Sequence, residues 1–436
     1  MSREMKDSGV EWIGKIPEDW TTRKIKFSLN ERIEKNDPIK SKNILSLTAK
    51  QGVIPLSERE GGGNKPKEDF SAYKLAYPGD IVMNSMNIIS GSVGLSNYFG
   101  CMSPVYYMLR PVHKEDDARF YNYVFQSKPF QLSLFGLGNG ILVKQTDNDK
   151  FNTVRLRIPM DKLGDVEIPN ISSSEQQQIV HFLDRKCTAI DTAIEKTKKS
   201  IEKLEEYKKA VITKAVTKGI DPNAKMKDSG VEWIGEIPED WDVKQLRTYF
   251  SRRINKNIHL QEKNLLSLSY GRIVRKNIDT KEGLLPESFD GYNIVEDGDI
   301  VIRGTDLQND HRSLRTGLVT ERGIITSAYM TLRSKENVNS TYYHYLLHCY
   351  DISKVFYSMG GGLRQSLDYW EFIRMPVLHP TDREQEEIIS YIKTKCAAID
   401  AAIEKKKKAI EKLEEYKKSL IYYAVTGKID CRNEVI

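Results

Sequence analysis

Between residues 175 and 217 the chain has neither proline nor glycine, and its marked positions return at alternating intervals of four and three. Ile190, Ile194, Thr197, Ile201, Leu204, Lys208, Val211 and Ala215 trace one seam. Ile399, Ile403, Lys406, Ile410, Leu413, Lys417, Leu420 and Ala424 trace a second. A 4-3 spacing puts every marked residue on one stripe of a helix, and so narrow a stripe suits another helix better than a broad core. Glu, Lys, Gln, Ile and Ala dominate the first segment, a composition that favours helix. Gly219 and Gly427 stand where helices stop. Lysine at 208, 406 and 417 makes the seam imperfect. Two such helices in one chain predict a mutual pair, and an antiparallel pair would relate the two halves by a pseudo-two-fold axis. Residues 190–215 would span roughly 39 Å at 1.5 Å per residue. One turn of B-DNA measures roughly 34–36 Å, so the pair reads as a ruler between two globular heads.

The helices belong to a larger internal repeat. Residues 5–20 and 226–241 agree at fifteen of sixteen positions, MKDSGVEWIG followed by Lys15 or Glu236 and then IPEDW. Residues 187–221 match 396–430, with IEKLEEYKK in both. The offsets, 221 and 209, differ by 12, so the material between the matching borders is 12 residues shorter in the second half. That interior is far less alike, keeping only echoes such as Gly79-Asp80-Ile81-Val82 against Gly298-Asp299-Ile300-Val301, and Leu45-Ser46-Leu47 against Leu266-Ser267-Leu268. Duplication followed by drift is the plain account, yet drift alone gives no reason to spare the borders. Frames that must match while their contents differ explain both observations.

The interiors, residues 21–170 and 242–380, read as mixed helix and strand with many loops, making the whole an α+β chain. Strand-like runs occur at 81–83, 105–109, 299–302 and 324–332, and Gly79-Asp80 and Gly298-Asp299 each form a turn feeding an apolar strand. Polar and basic side chains in the irregular stretches are candidate DNA contacts. In the first head these are Lys50, Lys65, Lys67, Asn84, Asn87, Asn139 and Lys144. In the second they are Arg303, Asp306, Gln308, Arg312, Arg315 and Arg364. Arginine can clamp guanine with two hydrogen bonds, and asparagine or glutamine can do the same for adenine. Taken singly each is an ordinary loop residue; the run 303–315 is a stronger candidate than its members.

Composition narrows the function. With 436 residues the chain fits two to four domains, and 29% charged against 39% hydrophobic residues suits a globular protein with long exposed helices. Five widely spaced cysteines, without a C-x-x-C pair, argue against a disulfide framework or a zinc site. No apolar run reaches membrane-spanning length, and the N-terminal residues lack an apolar signal core, so a cytoplasmic protein is expected. The net charge is only +6, while residues 195–218 and 404–428 carry +4 each. Basic character is thus concentrated on the helices, as a solvated face, a dock for an acidic partner, or a surface near phosphates. The Gly-rich stretches around 61–63, 136–140 and 360–362 lack the phosphate-loop pattern, no methyltransferase Asn-Pro-Pro-aromatic run occurs, and no H-E-x-x-H is present. Catalytic and metal-ligating residues are therefore assigned nowhere.

At this point the residues match a family. The duplicated Gly9-Val10-Glu11-Trp12-Ile13-Gly14 and Ile16-Pro17-Glu18-Asp19-Trp20 return at 230–235 and 237–241. Glu175-Gln176 and Glu384-Gln385 follow the strand ends Ile168-Pro169 and Met375-Pro376, and lead toward Ile190-Asp191 and Ile399-Asp400. In duplicate, this set resembles the specificity subunits of type I restriction-modification systems over nearly the full length. The resemblance implies two target recognition domains, residues 1–174 and 226–383, each reading half of a split, asymmetric DNA site. It implies that helical spacers, 175–225 and 384–436, form an antiparallel coiled coil that sets the gap. It further implies docking of two methyltransferase (modification) subunits and of ATP-driven restriction (motor and nuclease) subunits, with S-adenosylmethionine, ATP and Mg held by those partners and no cofactor on this chain. Base contacts do not carry over, because the heads are the divergent parts. Two other classes stay open: a coiled-coil scaffold with no DNA role, and a stand-alone DNA methyltransferase or nuclease.

Overall fold

The computed structural model describes residues 3–48, 51–59, 69–141, 155–278, 288–310, 314–361 and 366–432. The predicted helices are present as Ser173–Lys218 and Asp382–Val425, 46 and 44 residues long. The chain folds as two compact units, one of Met1–Thr197 with Lys408–Ile436, the other of Lys198–Lys407. Both boundaries fall inside the long helices. Each unit is one head with half of each helix.

In the first unit the lead-in strands Met5–Asp7 and Lys15–Pro17 pair antiparallel, and Thr21–Lys24 pairs with Glu167–Asn170, bringing the two ends of the head together. Between them lies an antiparallel sheet in the order Leu29–Glu31, Tyr106–Pro111, Ile81–Asn84, Val93–Leu95. Apolar residues of these strands and of the helix Ala118–Gln126 enter one core with Trp12, Trp20, Ile179, Leu183, Ile190, Ile194, Leu420 and Ala424. The second unit repeats the plan. Its sheet runs Phe250–Arg252, Met330–Ser334, Ile300–Ile302, Thr316–Leu318, and its head ends pair as Asp242–Gln245 with Pro376–His379. The predicted run 324–332 is two strands rather than one, because a turn at 326–329, closed by Tyr329 N donating to Thr326 O at 3.2 Å, reverses the chain between Gly323–Ile325 and Met330–Ser334.

The weak echoes between the heads are structural. Asp80 and Asp299 are both buried, and each accepts a backbone N–H from the residue three before it, Tyr77 at 2.9 Å and Glu296 at 2.8 Å. Each carboxylate also meets an arginine, Arg32 at 2.8 Å and Arg253 at 3.3 Å. Asn36 and Asn257, fully buried, tie down equivalent loops through their side-chain amides. Burying these polar groups is tolerable only because each is paired.

The seam also explains its lysines. Within the first unit Lys417 Nζ lies 2.7 Å from Asp191, and within the second Lys208 Nζ lies 2.7 Å from Asp400. Both of these lysines are half-buried, so the alkyl stem lies along the seam while the ammonium reaches the Asp of the Ile-Asp step on the other helix. The ends agree: Glu175 lies near Cys431 and Arg432 in the first unit, and Glu384 lies 3.5 Å from the position a Gly219 Cβ would occupy in the second. In each unit the two helix segments therefore run antiparallel. All ten apolar seam residues, Ile190, Ile194, Ile201, Leu204, Val211, Ile399, Ile403, Ile410, Leu413 and Leu420, are buried or half-buried.

The frames close crosswise in sequence. A Cβ on Gly427 would lie 2.5 Å from Pro17 Cδ and 3.0 Å from the Trp20 ring, so the lead-in of the first half packs on the helix end of the second copy. Lys428 Nζ and the Tyr422 hydroxyl reinforce this by donating to Ile13 O at 2.7 and 3.1 Å. In the other unit Gly219 faces Pro238 and Trp241. Both glycines have positive φ, +73° and +72°, and end their helices as expected.

Candidate nucleic-acid interface

In each head the chain leaves the third strand of its four-stranded sheet, Ile81–Asn84 or Ile300–Ile302, into a polar loop. In the first head this loop helps line an open cavity of about 770 Å³. Asn84 and Asn87 lie on its wall with Ser46, Arg59, Ser103 and Tyr106. The Asn84 amide oxygen accepts from Met86 N at 3.0 Å, which fixes the loop's exit. The Tyr106 hydroxyl, raised above its ordinary pKa by burial, stays a neutral hydrogen-bonding group across the working pH range. Asn139 is exposed but lies elsewhere, on the strand Asn139–Ile141 opposite Arg157. Lys50, Lys65, Lys67 and Lys144 fall outside the described residues.

In the second head the equivalent loop begins with Arg303, half-buried and 3.2 Å from Asp310. Asp306 has φ +59° and accepts from Asn309 Nδ2 at 2.9 Å, while Gln308 is exposed. Arg315 requires a correction. It is fully buried, and its guanidinium donates to the carbonyls of Arg303, Thr305, Asp306 and Asp310 and to the Tyr357 hydroxyl. Those five bonds use all five of its donors, so Arg315 cannot present a fork to a base. It is the post on which the loop is folded. The sequence could not distinguish it from Arg303, because burial of a charge depends on contacts remote in sequence. Arg312 and Arg364 lie outside the described residues. A cavity of about 250 Å³ at this end is lined by Arg252, Thr305, Tyr329, Asp368 and Trp370.

Sequence reasoning missed Arg59 and Tyr106, and it missed the arginine–aspartate posts. The posts did have a signal: Arg32-Ile33-Glu34-Lys35-Asn36 recurs as Arg253-Ile254-Asn255-Lys256-Asn257.

The loop support carries a measurable pH dependence. Asp351, buried on the helix Ser340–Ile352, accepts from Arg315 N with one oxygen and has no hydrogen-bond partner for the other among the described residues. Burial outweighs the neighbouring arginine and pushes its carboxyl up to about 6 from an ordinary 3.8. The folded chain therefore holds a proton that the unfolded chain has released between those values, and this group's contribution to stability falls as pH rises from 3.8 through 6. Asp351→Asn keeps an acceptor for Arg315 N and removes the charge. It should be more stable than the wild type by about 2 kcal/mol at pH 8 and no more stable at pH 4. Thermal melts at the two pH values check this; an equal difference at both would exclude a titrating Asp351.

Among the described residues no cluster of three His, Cys, Asp or Glu could hold a metal, and no helix is long and apolar enough to cross a membrane. No protein-family model matches the chain. A putative type I restriction enzyme MjaX specificity subunit from Methanocaldococcus jannaschii is 26% identical over 434 residues, spanning 96% of this chain and 95% of the relative. The chain is a homologue of type I restriction enzyme specificity subunits. The MjaVIII specificity subunit of the same organism is also 26% identical, over 289 residues that make up 62% of this chain and 63% of that subunit. Fold agrees with sequence. A chain solved in work on complex assembly and conformational transition of the type I R-M system superposes with a TM-score of 0.66 at 10% identity, covering 95% of this chain and 99% of that one. The HsdS subunit from Thermoanaerobacter tengcongensis does so at 0.51 and 12%, covering 95% and 98%. The fold shared with these two solved chains therefore takes in both heads and both long helices.

Proposed function

We propose that this chain is the DNA-reading specificity subunit of a type I restriction-modification complex. Each head reads one half of a bipartite, asymmetric duplex site, and the paired long helices set the gap between the halves. The observation that carries this reading is one frame built twice, from near-identical sequence, around two heads whose loops differ. Equivalent frames offer equivalent surfaces to two copies of one methyltransferase subunit. Different loops, Asn84 and Asn87 in one head against Arg303 and Gln308 in the other, suit different bases. The enzymes act in trans: modification subunits hold S-adenosylmethionine, restriction subunits use ATP and Mg, and this chain is itself no catalyst.

Co-expression with a modification subunit in a host free of other methylation, followed by sequencing of modified bases, tests the proposal. A single motif of two short specific parts separated by a fixed unspecified gap is expected. Methylation without sequence preference, or methylation that does not depend on this chain, overturns it. Binding of the complex to the motif should also weaken steeply with salt, as phosphate contacts require.

A further inference from the structure

In the second head the strands Leu265–Ser269 and Arg272–Lys276 form a hairpin that turns through only Tyr270 and Gly271. Both residues have positive φ, +47° and +75°. A two-residue turn of this hand favours asparagine, aspartate and glycine, and a bulky aromatic side chain there is an outlier. Packing offers no compensation. Tyr270 is 87% exposed, more than any other large hydrophobic residue described, and its side chain makes no hydrogen bond among the described residues. A residue that strains the backbone and leaves its side chain almost wholly to solvent points to an interaction outside its own fold. In the first head the sequence between the corresponding strands Leu45–Thr48 and Gly52–Pro55 is Ala49-Lys50-Gln51, without an aromatic.

Charge indicates what that interaction is. Residues 263–276 include Lys263, Arg272, Arg275 and Lys276 and no acidic residue. Arg275 is engaged by Glu321, whereas Arg272 and Lys276 are exposed and, four residues apart on one strand with Val274 between them, share a face. A two-stranded ribbon fits the major groove of B-DNA, and cations on its face are placed for the phosphates at the groove's rim.

We propose that this hairpin enters the major groove of duplex DNA with Tyr270 at its tip, the ring and hydroxyl against base edges and Arg272 and Lys276 on flanking phosphates. Tyr270 is then a specificity-determining residue for the half-site read by the second head. The assignment rests on the DNA-reading function proposed above.

The test uses the chain in complex with its modification subunit and a duplex carrying the motif found by modified-base sequencing. Tyr270→Asn suits the turn better than tyrosine, so Tm should hold or rise. Affinity for the duplex should fall at least about tenfold, with the methylated motif relaxed at one or two base pairs of one half-site only. Arg272→Ala with Lys276→Ala should weaken all duplexes alike and lower the slope of log affinity against log salt by about 1.8. If the wild-type complex selects a sequence and Tyr270→Asn matches it in affinity and motif, the Tyr270 assignment fails alone. A fall in Tm that accompanies the lost affinity makes Tyr270 structural and also overturns it. A wild-type complex with no sequence preference sinks the functional reading and this assignment together.

Discussion

Exchanging residues 242–380 for the corresponding head of another specificity subunit should change one half of the methylated motif completely and leave the other half and the gap as they were. The structure makes this exchange mechanically clean. The ends of the segment are neighbours, since Asp242 pairs with His379 across the two strands that begin and end the head. Outside the cut the frame keeps its own contacts: Trp241 donates to Glu384 at 2.9 Å, and Gly219 stays against Pro238 and Trp241. Several contacts cross from head to helix and must be supplied by the incoming head, among them the Tyr342 hydroxyl donating to Val216 O at 3.2 Å, Gln385 Nε2 donating to Pro380 O at 2.9 Å, and the apolar packing of Leu346 and Leu347 with Ile212 and Ile388 in one core. The measurement is again modified-base sequencing. A change in both half-sites, or in the gap, would mean that the heads are not independent readers.

The largest effect on stability should come from a methyl group. Gly100 and Gly323 occupy equivalent places in the two heads, where a strand crosses close to the preceding hairpin. Cys101 N donates to Asn43 O, and Ile324 N to Asn264 O, both at 2.8 Å. A Cβ would lie 2.5 Å from Asn43 O at Gly100 and 2.6 Å from Asn264 O at Gly323, with a leucine, Leu45 or Leu266, pressed on the same point. Backbone oxygen cannot swing aside as a long side chain could, so the strand must move and the hydrogen bond must lengthen. Gly323→Ala should cost about 3 kcal/mol, lowering the melting transition of that unit by roughly 6–12 °C. Gly100→Ala should do the same to the other unit. A change under about 1 kcal/mol at either site would show that the strand crossing adjusts freely.

The equivalence of these glycines was invisible in the sequence, where Gly100-Cys101-Met102 and Gly323-Ile324-Ile325 share only the glycine. Both sites depend on strand pairing between residues more than fifty positions apart, and no local pattern records which strands meet. The same reason hid Arg315. Its neighbours in sequence mark it as one of a basic cluster, while its role is set by carbonyls and a tyrosine gathered from 303 to 357. Candidate contacts on the loops themselves, Asn84, Asn87, Arg303 and Gln308, could be proposed from residue type, since loops after sheet strands are where polar readers stand.

The sequence by itself determined the two long helices, their ends at Gly219 and Gly427, the duplicated frames and the divergence of what they enclose. Those features are periodic or repeated, so they are written in residues close together or in direct copies. Only the tertiary structure decided how the copies are used. The lead-in with Pro17 and Trp20 closes on Gly427, the lead-in with Pro238 and Trp241 closes on Gly219, and the seam lysines Lys208 and Lys417 find Asp400 and Asp191. Near-identical segments cannot encode which copy they pack against, because each alternative makes almost the same contacts. That choice falls to chain connectivity and to the antiparallel run of the helix segments within each unit, which are properties of the folded chain.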